Sequence, residues 1–146
     1  DAYCGIGTIG ITACKDGCAS LDGFDINHDS ISVAAQNAEQ NGIRNYQYTC
    51  ISDSKCILDK NRHFDVVFAD PPRAGCDRRF ISTLLELHAN RLIYISCNPQ
   101  TLSRDLNMMK KNYKTDYIQP VDMFPFTKHC EVITVLKLKK SFLIEE

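Results

Sequence analysis

Apolar positions along this chain switch between short continuous runs and helical spacing, which predicts strands alternating with helices. A glycine-rich turn, Gly5-Ile6-Gly7-Thr8-Ile9-Gly10, leads into an apolar helix over residues 8–14. Leu21-Asp22-Gly23-Phe24-Asp25 predicts a strand ending in an acid. Ile31, Val33, Ala34, Ala35 and Ala38 predict an amphipathic helix over 28–41, stopped by Asn41-Gly42. Residues 46–50 predict the next strand and 64–69 a strand of buried type. A helix follows over 79–89, with Phe80, Leu84, Leu85 and Leu87 for its buried face, and then an apolar strand over 92–95. A helix over 101–111, an extended segment over 113–123 containing Pro120, a loop at 124–127 and an alternating strand over 132–138 complete the pattern, with 141–146 as a tail.

Such β–α alternation predicts an α/β fold with a Rossmann-like open sheet, mostly parallel, whose C-terminal strand turns back antiparallel at one edge. Asp1-Ala2-Tyr3-Cys4-Gly5 has the pattern of a strand's end and the turn after it. The chain is therefore expected to be a fragment, its first strand truncated and the N-terminal part of the protein absent. No repeats or linkers interrupt it, so residues 1–146 are expected to form one domain.

Composition narrows the classes. At 146 residues the chain can build one substantial core. No apolar run approaches the roughly 18 residues that span a bilayer, and no leader peptide is visible, so a cytoplasmic protein without a membrane partner is expected. The eight cysteines, at 4, 14, 18, 50, 56, 76, 97 and 130, lack the spacing of a disulfide scaffold and are expected to be reduced thiols. Cys14 and Cys18 form a CxxxC pair, but no second pair follows at a zinc-like spacing, so no metal is expected. Net charge is −1, with four basic and eight acidic residues in 1–60 against thirteen and ten in 61–146. The basic excess of the second part suits a phosphate backbone, or simply a solvated surface.

In open α/β sheets, ligands bind outside the carboxyl ends of the strands. Gly5 and Gly7 allow close backbone approach at such an end, and Asp25, eighteen residues after Gly7, has the spacing of an acid that takes ribose hydroxyls. Asp53, past the next strand, is expected near an adenine. Asp70 precedes Pro71-Pro72, a rigid extended turn that cannot continue the strand ladder and fixes the carboxylate at the sheet edge. Ser96-Cys97-Asn98-Pro99 ends the strand at 92–95 and makes Cys97 a candidate nucleophile, against the alternative of a structural thiol.

The whole pattern resembles the class I S-adenosylmethionine-dependent methyltransferases. Asp1-Ala2-Tyr3-Cys4-Gly5-Ile6-Gly7, Asp70-Pro71-Pro72-Arg73-Ala74-Gly75, Ser96-Cys97-Asn98-Pro99 with Thr101-Leu102 and Arg104-Asp105-Leu106, and Asp122-Met123-Phe124-Pro125 with Thr127, His129 and Glu131 resemble, in order, the motifs of the RNA uracil-5-methyltransferases. The resemblance implies a C-terminal catalytic domain that uses S-adenosyl-L-methionine to make 5-methyluridine in RNA, with Cys97 as nucleophile and Glu131 as proton-abstracting base. It implies cofactor contacts from Tyr3, Asp25 and Asp70, with Asp70 also close to the reacting base. The expected partner is RNA, 23S ribosomal RNA first and transfer RNA as the alternative, and the expected state is a monomer.

Three rivals stand beside this reading. Adenine amino-group methyltransferases follow the acid-Pro-Pro turn with an aromatic residue, where this chain has Arg73. Some cytosine-5 enzymes place a cysteine there. An inactive RNA-binding module would need neither Cys97 nor Glu131.

Overall fold

Three of the helices begin on a short polar side chain that accepts a hydrogen bond from an otherwise unpaired N–H of the first turn. Asn27 accepts from Ser30 N at 3.0 Å and starts α2 (His28–Gln40). Asp77 accepts from Phe80 N at 2.7 Å and starts α3 (Arg78–Leu87). Asn98 accepts from Gln100 N at 3.1 Å and starts α4 (Pro99–Met109). This last helix begins two residues before its expected start at Thr101, because Pro99, with no N–H to lose and φ already set, is well suited to a first helical position. The computed structural model describes residues 1–51, 63–127 and 129–142, so Asp53 lies outside the described residues.

The chain divides into two units, Asp1–Ser54 and Lys55–Glu146. In the first, β1 (Leu21–Asp25) and β2 (Tyr46–Cys50) pair in parallel, with Leu21 opposite Tyr46 and Asp25 opposite Cys50. α1 (Thr8–Ala13) and α2 pack on them around Ile11, Leu21 and Ala38, with Cys14, Ile43, Tyr46 and Tyr48 against that core. Ala2 makes an isolated parallel bridge to Phe24, and Cys4 N–H donates to Phe24 O at 3.0 Å. One expectation fails here: Cys14 and Cys18 are paired as a disulfide, their Cα atoms 5.1 Å apart. The reason is local. α1 stops at Ala13, and the turn through Gly17, at φ +107° with its N–H donating to Cys14 O, folds the chain back on itself. Cys4, Cys50, Cys76, Cys97 and Cys130 are free thiols.

The second unit holds a four-stranded sheet in the order β3-β4-β6-β5, from β3 (Val66–Ala69), β4 (Arg91–Ser96), β5 (Tyr113–Val121) and β6 (Glu131–Leu138). β3 and β4 are parallel, and β6 runs antiparallel between β4 and β5, as the hairpin pattern predicts. Pro120 sits on the outer strand β5, where a missing N–H costs no ladder bond to a further strand. One face of the sheet is buried through Leu92, Tyr94 and Ser96 of β4 and Val132, Thr134 and Leu136 of β6. Phe80, Ile81, Leu84 and Leu87 of α3 and Leu102 and Met109 of α4 are buried as well. At about 1.5–3 kcal/mol for each fully buried large apolar side chain, these residues supply the main drive for the unit to fold.

A test of the first unit's packing is Gly23. A Cβ built there collides with the ring of Tyr48, which lies against the bare glycine backbone. Gly23→Ala is expected to lower stability by about 1–3 kcal/mol, read as a lower midpoint in urea denaturation at unchanged slope.

Candidate active site

The site in the second unit follows from strand register. In the β4–β6 ladder Ile95 pairs with Ile133 and Ser96 with Val132, so the next pair in line is Cys97 and Glu131. Side chains alternate along strands, which puts Cys97 and Glu131 on the face of Ile95 and Ile133, opposite the buried core. A cavity of about 360 Å³ opens on that face, lined by Asp70, Ile95, Cys97, Val121, Met123, Phe124, Glu131 and Ile133. A second hollow of about 240 Å³ shares Cys97, Phe124 and Glu131 and adds Arg73 and His129. Three of the predicted site residues, Asp70, Cys97 and Glu131, thus line one pocket.

Asp70 leaves β3 at its carboxyl end and keeps contact with solvent. Its neighbours still crowd it enough to push its carboxyl above the ordinary range, first through desolvation and then through the charge of Glu131. Cys97 is partly exposed at the turn after β4. Ser96 stitches that turn: its hydroxyl donates to Asn98 O at 3.0 Å and accepts from Asn98 N at 3.1 Å. The Arg73 guanidinium stands 3.4 Å from His129 Nδ1 at the rim.

Behind these residues lies a polar clamp. Asp105, fully buried on α4, accepts from Tyr94 Oη at 2.7 Å, from Cys76 N at 2.9 Å and from Arg104 Nε at 2.8 Å. Arg104 in turn donates to Ala74 O at 2.9 Å and Cys76 O at 3.2 Å. Asn98 and Thr101 each donate to Arg73 O at 3.3 Å. The loop after Pro71-Pro72 is therefore held by its backbone from the start of α4. Gly75, at φ +78°, is the hinge that permits this, since a Cβ there would lie 2.6 Å from Asp105 Oδ2. Asp105 belongs to a recognised motif, but its role is not legible from residue type, because an acid next to an arginine on a helix reads as a solvated pair.

The first unit gathers Tyr3, Gly5, Gly7 and Asp25. Asp25, at the end of β1, accepts from Gly5 N and Asn27 N, both at 2.9 Å. It is not the cap of α2; Asn27 is. Tyr3, Gly5 and Gly7 all have positive φ, and the Tyr3 ring lies 6.0 Å from that of Phe24. A Cβ at Gly5 would meet nothing within 4 Å, whereas at Gly7 it would meet Tyr48 Oη at 2.7 Å. The turn is thus closed on the Gly7 side and open at Gly5. Among the described residues no group of His, Cys, Asp and Glu could hold a metal ion.

With this geometry in hand, comparison with known proteins is decisive at the level of family: the model of the tRNA (uracil-5-)-methyltransferases matches residues 1–140. The chain belongs to that family. Among curated relatives it is similar to an uncharacterized RNA methyltransferase of Listeria monocytogenes serotype 4b, 48% identical over 143 residues, which is 95% of this chain and 31% of that protein. The crystal structure of the Pyrococcus abyssi tRNA (uracil-54, C5)-methyltransferase in complex with S-adenosyl-L-homocysteine matches with a TM-score of 0.82 and 38% identity, over 93% of this chain and 32% of that one. TrmN from Thermus thermophilus matches with a TM-score of 0.72 at 18% identity, over 95% of this chain and 43% of that one, a likeness of fold alone. The fold is thus the α/β class I methyltransferase fold expected. The chain spans about a third of the length of the curated relatives it matches.

The clamp can be tested by substitution. Asp105→Ala strands the buried Tyr94 hydroxyl and Cys76 N–H, each worth about 1–3 kcal/mol when unpaired, so a loss of roughly 2–5 kcal/mol in chemical denaturation is expected. Asp105→Asn keeps an acceptor in place and should lose clearly less.

Proposed function

We propose that the protein containing this chain transfers a methyl group to carbon 5 of a uridine in RNA, with Cys97 as nucleophile and Glu131 as base. What supports the reading is that Cys97 and Glu131 line one cavity together with Asp70, in a chain of the uracil-5-methyltransferase family. The residues of the first unit fit the adenosyl donor that the family implies. The turn is open at Gly5, and Asp25 spends one acceptor position of each oxygen on backbone N–H, leaving lone pairs for ribose hydroxyls. Tyr3, Gly5, Gly7 and Asp25 would hold it. When bound, S-adenosyl-L-methionine supplies an electrophilic methyl group.

This chain's own residues account for the rest. Carbon 5 of uracil is a weak nucleophile, so the Cys97 thiolate first adds to carbon 6, and the electrons of the ring double bond move onto the carbonyl at carbon 4. Carbon 5 of that enolate is nucleophilic and gains the methyl group. It then carries both a proton and a methyl. Glu131 removes the proton, the electron pair restores the ring double bond, and the thiolate leaves carbon 6. Asp70 lines the same cavity, where desolvation and then the charge of Glu131 push its carboxyl above the ordinary range, and it can hydrogen-bond the base. The base must leave its stack to reach Cys97, which favours an unpaired or loop uridine.

For the RNA itself, the Phe126-Thr127-Lys128-His129-Cys130-Glu131 run and Gln100 resemble those of ribosomal RNA enzymes, which supports 23S ribosomal RNA. A second reading, transfer RNA, is favoured by the 38% identity to the Pyrococcus abyssi tRNA (uracil-54, C5)-methyltransferase. Mass mapping of 5-methyluridine in ribosomal and transfer RNA from cells with and without the gene separates them, and no change in either would refute the function.

The step assigned to Glu131 has its own test. In the full-length protein, Glu131→Gln is expected to trap RNA as a covalent adduct that survives a denaturing gel, and Cys97→Ala in the same background should abolish it. Unimpaired methylation by Glu131→Gln would remove Glu131 from its role.

A further inference from the structure

The loop between β5 and β6 displays an aromatic ring that nothing in the reaction above uses. Phe126 is fully exposed, at 108% of its reference area, in a left-handed backbone conformation at φ +67°. A bulky residue rarely adopts that conformation, and water is a poor surrounding for a phenyl ring, so the position carries two costs at once. The turn is built to keep it there. Phe124 O accepts from Thr127 N at 3.2 Å and from Thr127 Oγ1 at 2.8 Å, and Thr127 Oγ1 accepts from His129 N at 3.2 Å.

The turn is continuous with the candidate site. Phe124, two residues before Phe126, lines both hollows with Cys97 and Glu131, and its ring meets the His129 ring edge-on at 6.4 Å. Arg73, exposed at the rim, adds a fixed positive charge beside His129. An aromatic face turned to solvent, beside a basic group and a pocket for one extruded base, has the composition of a single-strand stacking platform.

We propose that Phe126 stacks on the nucleobase next to the target uridine, so that it reads the flanking RNA strand while the target lies in the Cys97 cavity. This rests on the reading of the protein as an RNA methyltransferase. When one base is extruded its neighbour loses a stacking partner, and a phenyl ring at the cavity mouth replaces it. Any base offers a π-face, so the contact supports affinity and register rather than base identity.

The test uses the full-length protein and total RNA from a strain lacking the gene. Ultraviolet cross-linking and peptide mass spectrometry should attach Phe126 to a nucleotide adjacent to the uridine that the wild-type protein methylates. Phe126→Asn, which suits the left-handed backbone but has no ring, should raise KM by about 5- to 100-fold with kcat kept within about twofold. Phe126→Tyr, which keeps the ring, should behave as wild type. An active wild type with unchanged KM in Phe126→Asn, or Phe126→Tyr as impaired as Phe126→Asn, overturns the stacking role while leaving the methyltransferase reading intact. A Phe126→Asn variant that loses stability without RNA present, or a cross-link to the protein's own chain, marks an internal contact and also overturns it. If the wild type methylates no uridine, both readings fall.

Discussion

The antiparallel register between β4 and β6 is the constraint on which the candidate chemistry depends. Strand periodicity is two, so a slip of one residue would turn Glu131 from the cavity to the face that holds Val132 and Thr134. Six consecutive pairs, from Arg91 opposite Lys137 to Ser96 opposite Val132, oppose that slip. Val132, Thr134 and Leu136 of β6 would be moved by it to the face opposite Leu92 and Tyr94 of β4. Core burial and the placing of an acid opposite a thiol are therefore one decision. The hydrophobic alternation that folds β6 also aims Glu131.

A second constraint acts at the turns. Loops beyond strand ends are the mobile parts of an α/β fold, yet the two that bring in Asp70 and Cys97 are tied to the same helix start. Asn98, Thr101, Arg104 and Asp105 bond the backbone of 73–76, and Asp105 also bonds Tyr94 within β4. Buried polar groups are tolerated only when satisfied, and Asp105 accepts from three different residues. The geometry around Cys97 thus rests on a core strand and on α4 rather than on the loops alone.

Much of this was legible from residue patterns. The strands β1 and β2 and the start of α2 fall where periodicity and turn residues predict them, because those signals are local. Asp70 and Cys97 stand at strand ends for the same reason. The misses are non-local or depend on one backbone angle. The strand expected from Phe64 begins at Val66, since an apolar residue beside an acid does not reveal where pairing starts. The Cys14–Cys18 pairing depends on a turn through Gly17 that spacing alone does not specify. The clamp around Asp105 joins residues 29 positions apart, beyond any window of local pattern.

Fold and chemistry separate cleanly in this chain. The likeness to TrmN at 18% identity shows that the same sheet supports a sequence with little else in common, so the sheet by itself carries no activity. In this chain Asp70, Cys97 and Glu131 line one cavity, at the carboxyl ends of β3 and β4 and the start of β6. Two carboxyl groups line one cavity, and desolvation and then the charge of Glu131 push the carboxyl of Asp70 upward. In the proposed reaction Asp70 can hold the pyrimidine by hydrogen bonds, while Glu131, directly across the ladder from Cys97, takes the proton that must depart before the thiolate can leave.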